Sequence, residues 1–177
     1  TSDNPVRFID VFVNSIDLQK IGFISRVLKK EGRPSFDTKV FLKIYLYGYL
    51  NGVRSSRRLE RECFRNIEVQ WLLEAIIPNY HSISDFRKEN PKALKKLFKL
   101  FVSFLKDADL ISGDIIAIDG TKSRAHNSKK ANYSQKKIAQ HLAYIDAKSQ
   151  EYLDQLEQND DQENLDSLTN IQQKIER

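Results

Sequence analysis

Between Val40 and Leu50 the apolar residues Val40, Phe41, Ile44, Tyr45, Tyr47, Gly48 and Leu50 cover most of the circumference of a helix. A helix that is apolar nearly all round has to be enclosed by other elements. This segment, expected to run from Ser35 to about Asn51, therefore demands a bundle in which further helices supply the covering faces. Tyr45, Tyr47 and Tyr49 also raise base stacking, but aromatic rings on an enclosed helix are first of all core material, and the core reading is preferred. The chain has 177 residues, enough for a domain with a sizeable core, and only 6 Gly and 4 Pro interrupt it.

The covering helices can be read in order. Val6, Phe8, Ile9, Val11, Phe12 and Val13 fit either strand or helix, and Asp17 is placed to cap a short helix after them. Gly32-Arg33-Pro34 is a loop, and Asn51-Gly52 ends the central helix with a left-handed residue. Ser55 or Ser56 caps the next helix, which runs to Arg65 with Leu59 and Cys63 inward and Phe64 as a further candidate for the inner face. A third is expected over Ile67–Ile76 with Trp71 as a core anchor, and a fourth from a Ser82 cap. Asn90-Pro91 opens another, with Leu94, Leu97, Phe98, Phe101, Val102 and Leu105 as its apolar face. Its opposite face carries Lys92, Lys95, Lys96 and Lys99, most simply a solvated surface. Short helices joined by tight turns suit a helix-turn-helix-like DNA reader, and equally any small bundle.

Charge is distributed unevenly. Residues 1–150 carry 27 Lys and Arg against 16 Asp and Glu, whereas residues 151–177 carry 2 against 8. A basic body with an acidic tail points to a polyanionic partner for the body. The sharpest concentration is Arg54, Arg57, Arg58, Arg61 and Arg65, where Arg57, Arg61 and Arg65 recur every four residues and form one stripe. Such a stripe can neutralise phosphates and release counterions, and arginine is the better phosphate fork. Local pairing with Glu60 and Glu62 is the plainer alternative, though it leaves a surplus of positive charge. Arg87 and Lys88 add charge at the end of the fourth helix.

Asp114-Ile115-Ile116-Ala117-Ile118-Asp119-Gly120 reads as a buried strand ending on a carboxylate before a turn. Lys122, Arg124, Lys129 and Lys130 follow. A hard oxygen ligand facing a basic segment suits Mg²⁺ held against a phosphate; Asp-Gly is also an ordinary turn dipeptide. His126 has no second His or Cys at ligand spacing. Beyond Ser134, Ile138, Leu142, Ile145, Ser149, Tyr152 and Leu156 form a helical seam. Asn159–Asn164 reads as an acidic turn, after which Leu165, Leu168, Ile171 and Ile175 begin a second stripe, so an antiparallel hairpin is expected, able to pack on itself or to join two copies. No run of apolar residues is long enough to cross a membrane. Cys63 is the only cysteine, which excludes a disulfide within the chain and sets a cytoplasmic default. The absence of Met and the helical pattern still running at Arg177 suggest a fragment.

Several ordered segments resemble the start of bacterial insertion-sequence transposases, with an InsH-like N-terminal domain followed by a DDE catalytic domain. They are Phe41–Leu50, Arg54–Cys63, Trp71-Leu72-Leu73, Ile83–Lys88 and Ala117–Lys122. The resemblance implies a helical region that binds transposon-end DNA, then an RNase H-like domain in which three carboxylates hold two Mg²⁺ ions for strand cleavage and transfer. Asp119 matches the first carboxylate. Asp146, Asp154, Asp160, Asp161 and Glu163 come later but fall on the expected hairpin, and none ends a strand. Two-metal phosphoryl chemistry clamps its ions from several sides, so one carboxylate does not suffice, and the chain alone is expected to be inactive.

The expected fold is mainly α. Residues 1–112 form the multi-helix DNA-binding bundle, 113–133 the first strand and basic loop of an incomplete RNase H-like domain, and 134–177 the helical hairpin. The candidate DNA contacts are Arg54, Arg57, Arg58, Arg61, Arg65, Arg87, Lys88, Lys122, Arg124, Lys129 and Lys130; Asp119 is the candidate catalytic and metal residue, with Mg²⁺ as cofactor of the complete enzyme. The partners are double-stranded DNA at transposon ends and a second copy through the hairpin, with no membrane, in the bacterial cytoplasm near the nucleoid. A non-catalytic fragment that pairs with intact transposase, or an inactive remnant, are the alternatives.

Overall fold

A computed structural model describes residues 4–23, 36–108 and 135–175. Eight helices occupy these residues: α1 (Pro5–Ser15), α2 (Leu18–Ile21), α3 (Thr38–Leu50), α4 (Ser56–Arg65), α5 (Ile67–Leu72), α6 (Tyr80–Glu89), α7 (Pro91–Asp107) and α8 (Gln135–Ile175). No strand occurs among the described residues. The strand expected over 114–119 lies outside them.

α3 is the enclosed axis that its composition demands. Every residue from Val40 to Tyr49 is buried, Lys43 and Gly48 included. α1, α5 and α7 pack directly against it. Aromatic rings close the joints: Phe12 lies 5.1 Å from Phe101, Phe41 stacks on Phe86 at 4.5 Å, and Tyr49 stacks on Phe98 at 4.7 Å. The three tyrosines are therefore core, and burial pushes the Tyr45 hydroxyl well above the usual range while it donates to the Ile83 carbonyl at 2.6 Å. Lys43 is buried because Asp10 of α1 meets its ammonium at 2.7 Å and the Leu72 carbonyl accepts from it at 3.2 Å.

Side-chain caps set most of the helix starts. Asn4, Asp17, Asp37, Ser55, Asn66 and Asn79 each accept from a backbone N–H of the first turn. α3 stops as expected at Gly52, whose φ of 65° is left-handed, with the Val53 N–H closing on the Gly48 carbonyl at 2.9 Å.

Three local expectations change. α5 ends at Leu72 rather than Ile76, because Glu74 and Ala75 adopt φ of 53° and 59° and the Ala75 N–H folds back on the Gln70 carbonyl. Val69, Leu72 and Leu73 face the core at helical spacing, which leaves Trp71 on the other side, 52% exposed. α6 starts at Tyr80, since the Asn79 side chain accepts from the Ser82 N–H; Ser82 is the donor and not the cap.

The larger correction concerns the C-terminal region. α8 is one unbroken helix of 41 residues and not a hairpin. The stretch 159–164 holds neither Gly nor Pro, and Asn, Asp, Gln and Glu each cost well under ~1 kcal/mol in a helix interior. Those small penalties are outweighed by contacts that this stretch makes with α4. The N-terminal seam of α8 holds in its middle: Ile145, Ser149, Tyr152 and Leu156 are buried, with the Ser149 hydroxyl donating back to the Ile145 carbonyl, while Leu142 is 45% exposed.

Candidate nucleic-acid interface

α4 is the element on which the basic residues converge. Ser55 begins it in an extended conformation, its hydroxyl accepting from the Arg58 N–H at 3.3 Å. Leu59 and Cys63, one turn apart, anchor its inner face with almost no exposure. Burial pushes the Cys63 thiol up to about 12, so it stays protonated and is no nucleophile.

The N-terminal end of α4 is docked against α8. Asp160 is buried, and one carboxylate oxygen accepts from the Ser56 N–H at 2.7 Å. The other accepts from the Ser56 hydroxyl at 2.6 Å and from Arg87 Nη1 at 2.8 Å. An anion at a helix N-terminus meets unpaired N–H groups and the positive end of the dipole. Here that anion is a side chain of the same protein. Around it, Asn159 donates to the Arg54 carbonyl at 2.6 Å, Tyr152 donates to the Val53 carbonyl at 2.9 Å, and Ser55 donates to Glu163 at 2.9 Å.

This docking divides the candidate residues. Arg87 is removed from the surface: its side chain is 5% exposed and its charge is spent on Asp160, so the expectation that it meets DNA is corrected by burial. Arg57 is half-buried, held over the Tyr80 ring at 4.0 Å, with Nη2 donating to Asn164 at 3.1 Å and Nε 3.6 Å from Glu163. Arg54 is half-buried, and its Nε is enclosed without a hydrogen-bond partner. Arg58, Arg61 and Arg65 are exposed and form no ion pair among the described residues. Lys88 is exposed on α6, the helix packed beside α4. The expected stripe of Arg57, Arg61 and Arg65 thus becomes an outward set of Arg58, Arg61 and Arg65.

Neutralisation by the glutamates of α4 is weaker than their number suggests. Glu62 turns inward and accepts from the Tyr47 hydroxyl at 2.9 Å, with Asn66 donating to the same hydroxyl at 2.8 Å. Desolvation first, and then this glutamate, raise the Tyr47 hydroxyl well above its usual range. Phe64, a candidate for the inner face, instead stands 60% exposed beside the inward Cys63, and the outer surface of α4 continues through it to Ile67 at 78%.

Asp119, Lys122, Arg124, Lys129 and Lys130 lie outside the described residues. Among the described residues no group of three or more His, Cys, Asp or Glu side chains could hold a metal ion. No described helix is long and apolar enough to cross a membrane. The described surface of α4 is cationic, with Arg58, Arg61 and Arg65 exposed on it.

Reading the sequence missed Asp160, Glu163, Asn159, Asn164 and Tyr80 as determinants of this surface. Most of these contacts span more than a hundred residues, for example 104 between Ser56 and Asp160. The available signal was charge: one acidic run at 159–163 and one arginine-rich helix in the same chain. A family model described as a transposase domain (DUF772) matches residues 1–89, just over half of the chain and all of α1 to α6. No curated protein and no solved structure matches the chain.

Proposed function

The chain belongs to the transposase domain (DUF772) family, and from that premise we propose that its helical body binds duplex DNA, at transposon ends, through the outer face of α4. The observation that carries this reading is the exposure of Arg58, Arg61 and Arg65 on one rigid helix with no ion-pair partner among the described residues. Three unneutralised guanidinium groups on a helix held by Leu59 and Cys63 form a preset row of phosphate forks, with Lys88 beside it. Binding of this kind falls steeply with salt, because each neutralised phosphate releases condensed counterions.

For the chemistry of the wider family, we carry the InsH-like and DDE reading only as far as Asp119. By that resemblance Asp119 would serve as an oxygen ligand of Mg²⁺ in a complete transposase, which would supply DNA cleavage and strand transfer. The later carboxylates do not join it as ligands in this reading: Asp160 is committed to Arg87 and Ser56, and Asp146 pairs with Lys99. The chain on its own is expected to bind DNA and leave it intact.

The test is fluorescence anisotropy with a labelled duplex bearing a transposon end, titrated through salt, for the 177-residue chain and for Arg58→Ala/Arg61→Ala/Arg65→Ala. The triple variant should lose most of the affinity and flatten the salt slope by about 0.9 per phosphate contact removed. Equal binding by the two proteins would remove α4 as the contact. Incubating the same duplex with Mg²⁺ should produce no nick; nicking abolished by Asp119→Ala would show that the chain is a working nuclease.

A further inference from the structure

Arg57 lies on the same helix as the outward arginines but is treated differently by the fold. Its guanidinium is stacked on Tyr80 and turned toward Glu163 and Asn164 of α8. We propose that Glu163 is a positioning residue that withholds Arg57 from DNA, so that α8 sets how many arginines α4 offers to a duplex. This inference rests on the duplex-binding reading given above.

The geometry separates this contact from the anchor beside it. Asp160 uses both oxygens in hydrogen bonds of 2.6 to 2.8 Å and is almost wholly buried, which is what a structural clamp needs. Glu163 is 28% exposed and Arg57 30%. Their closest approach is 3.6 Å, longer than the ~2.7–2.9 Å of a charge-assisted hydrogen bond. Glu163 Oε1 is occupied by the Ser55 hydroxyl, and Oε2 has no hydrogen bond. The carboxylate therefore compensates Arg57 electrostatically without fixing it through a fork. Removing the charge at Glu163 should leave the contacts of Asp160 with Ser56 in place and leave Arg57 held only by Tyr80 and Asn164, with an uncompensated charge to turn toward a phosphate beside Arg58 and Arg61.

The experiment measures binding of a fluorescein-labelled DNA duplex between about 50 and 200 mM NaCl. Four forms are compared: the wild-type chain, Arg57→Ala, Glu163→Gln and the double variant. Glu163→Gln keeps an amide oxygen for the Ser55 hydroxyl; Glu163→Met replaces it if thermal melting shows the glutamine form to be unfolded. Arg57→Ala should bind within about twofold of wild type, since Arg57 is not among its contacts. Glu163→Gln should bind about two- to fivefold more tightly, the worth of one exposed charge pair, with a salt slope steeper by about 0.9. The gain should vanish when Arg57→Ala is added.

A gain that survives in the double variant would overturn the proposal, because it would come from the removed negative charge and not from Arg57. An unchanged Glu163→Gln, or a large loss in Arg57→Ala alone, would overturn it as well. None of these results touches the wider reading, which fails separately if removal of Arg58, Arg61 and Arg65 leaves binding intact.

Discussion

Around one short helix, arginine serves two opposite purposes. At the N-terminus of α4, Ser56 and Arg87 enclose the Asp160 carboxylate away from water. On the outer face of α4 itself, Arg58, Arg61 and Arg65 stand in solvent with no acidic partner among the described residues. Arginines that look equivalent as a basic cluster differ in what they can still bind. A guanidinium already neutralised and dehydrated has little left to offer a phosphate, whereas an exposed one keeps its whole fork. The number of arginines says less about DNA binding than the placement of the carboxylates, and the decisive carboxylates here come from a helix a hundred residues away.

The strongest way to break the comparison is to remove the clamp. Asp160→Ala leaves Arg87 buried without a counter-charge and the Ser56 N–H and hydroxyl without their acceptor. Losing one member of such a pair costs about 3–5 kcal/mol. Urea unfolding followed by circular dichroism should show a loss of that size, while a change below about 1 kcal/mol would mean that the clamp does not hold the helices together.

The continuity of α8 can be tested almost as sharply. Proline in a helix interior removes a hydrogen bond and clashes with the preceding turn, a cost of about 3 kcal/mol, but it is welcome in a turn. Asp161 lies at the middle of the stretch that reads as a turn and folds as a helix. Asp161→Pro should therefore lower both stability and helical content, and a neutral result would restore the hairpin.

Gly48 of α3 faces Leu59 of α4 and Tyr152 of α8. A Cβ there would lie 2.5 Å from the Tyr152 hydroxyl, 2.7 Å from Leu59 and 3.2 Å from the Val53 carbonyl. Tyr152 and Leu59 are buried, and Val53 presents backbone, so none of the three can retreat freely. Overpacking of about 1–3 kcal/mol should exceed the ~0.5–1 kcal/mol that alanine gains over glycine in a helix. Gly48→Ala is expected to lower stability by about 1 kcal/mol in the same unfolding assay; a more stable variant would show that α8 packs less tightly here than on the α4 clamp.

These contacts explain what could be read from the chain and what could not. The enclosed α3, the apolar face of α7 and the left-handed stop at Gly52 are local, written into spacing and into a residue type suited to each conformation. Trp71 misled because a large apolar side chain was read by its composition, when the spacing of Val69, Leu72 and Leu73 already placed it on the far side of α5. The acidic stretch 159–164 misled for another reason. Its residues favour turns when nothing opposes them, and only α4, brought up by the packing of Tyr152 and Leu156, makes the helix the better solution. For the candidate site the arginines themselves were legible, but not their division, since the residues that divide them are distant in sequence. The placement of Asp119 lies beyond the described residues.

The smallest expected effect is the most pointed. Arg61→Ala touches no buried group and breaks no ion pair among the described residues, and helix propensity rises slightly with alanine. Its unfolding free energy should stay within about 0.5 kcal/mol of wild type, as for surface substitutions that leave no cap or core contact broken. Arg87→Ala, in the neighbouring helix, exposes the Asp160 carboxylate to the opposite deficit and should lose about 3–5 kcal/mol. Measured side by side in urea, the pair separates an arginine kept for the fold from one kept free of it. If Arg61→Ala were as damaging as Arg87→Ala, the outer face of α4 would be structural, and its arginines would no longer be available to a duplex.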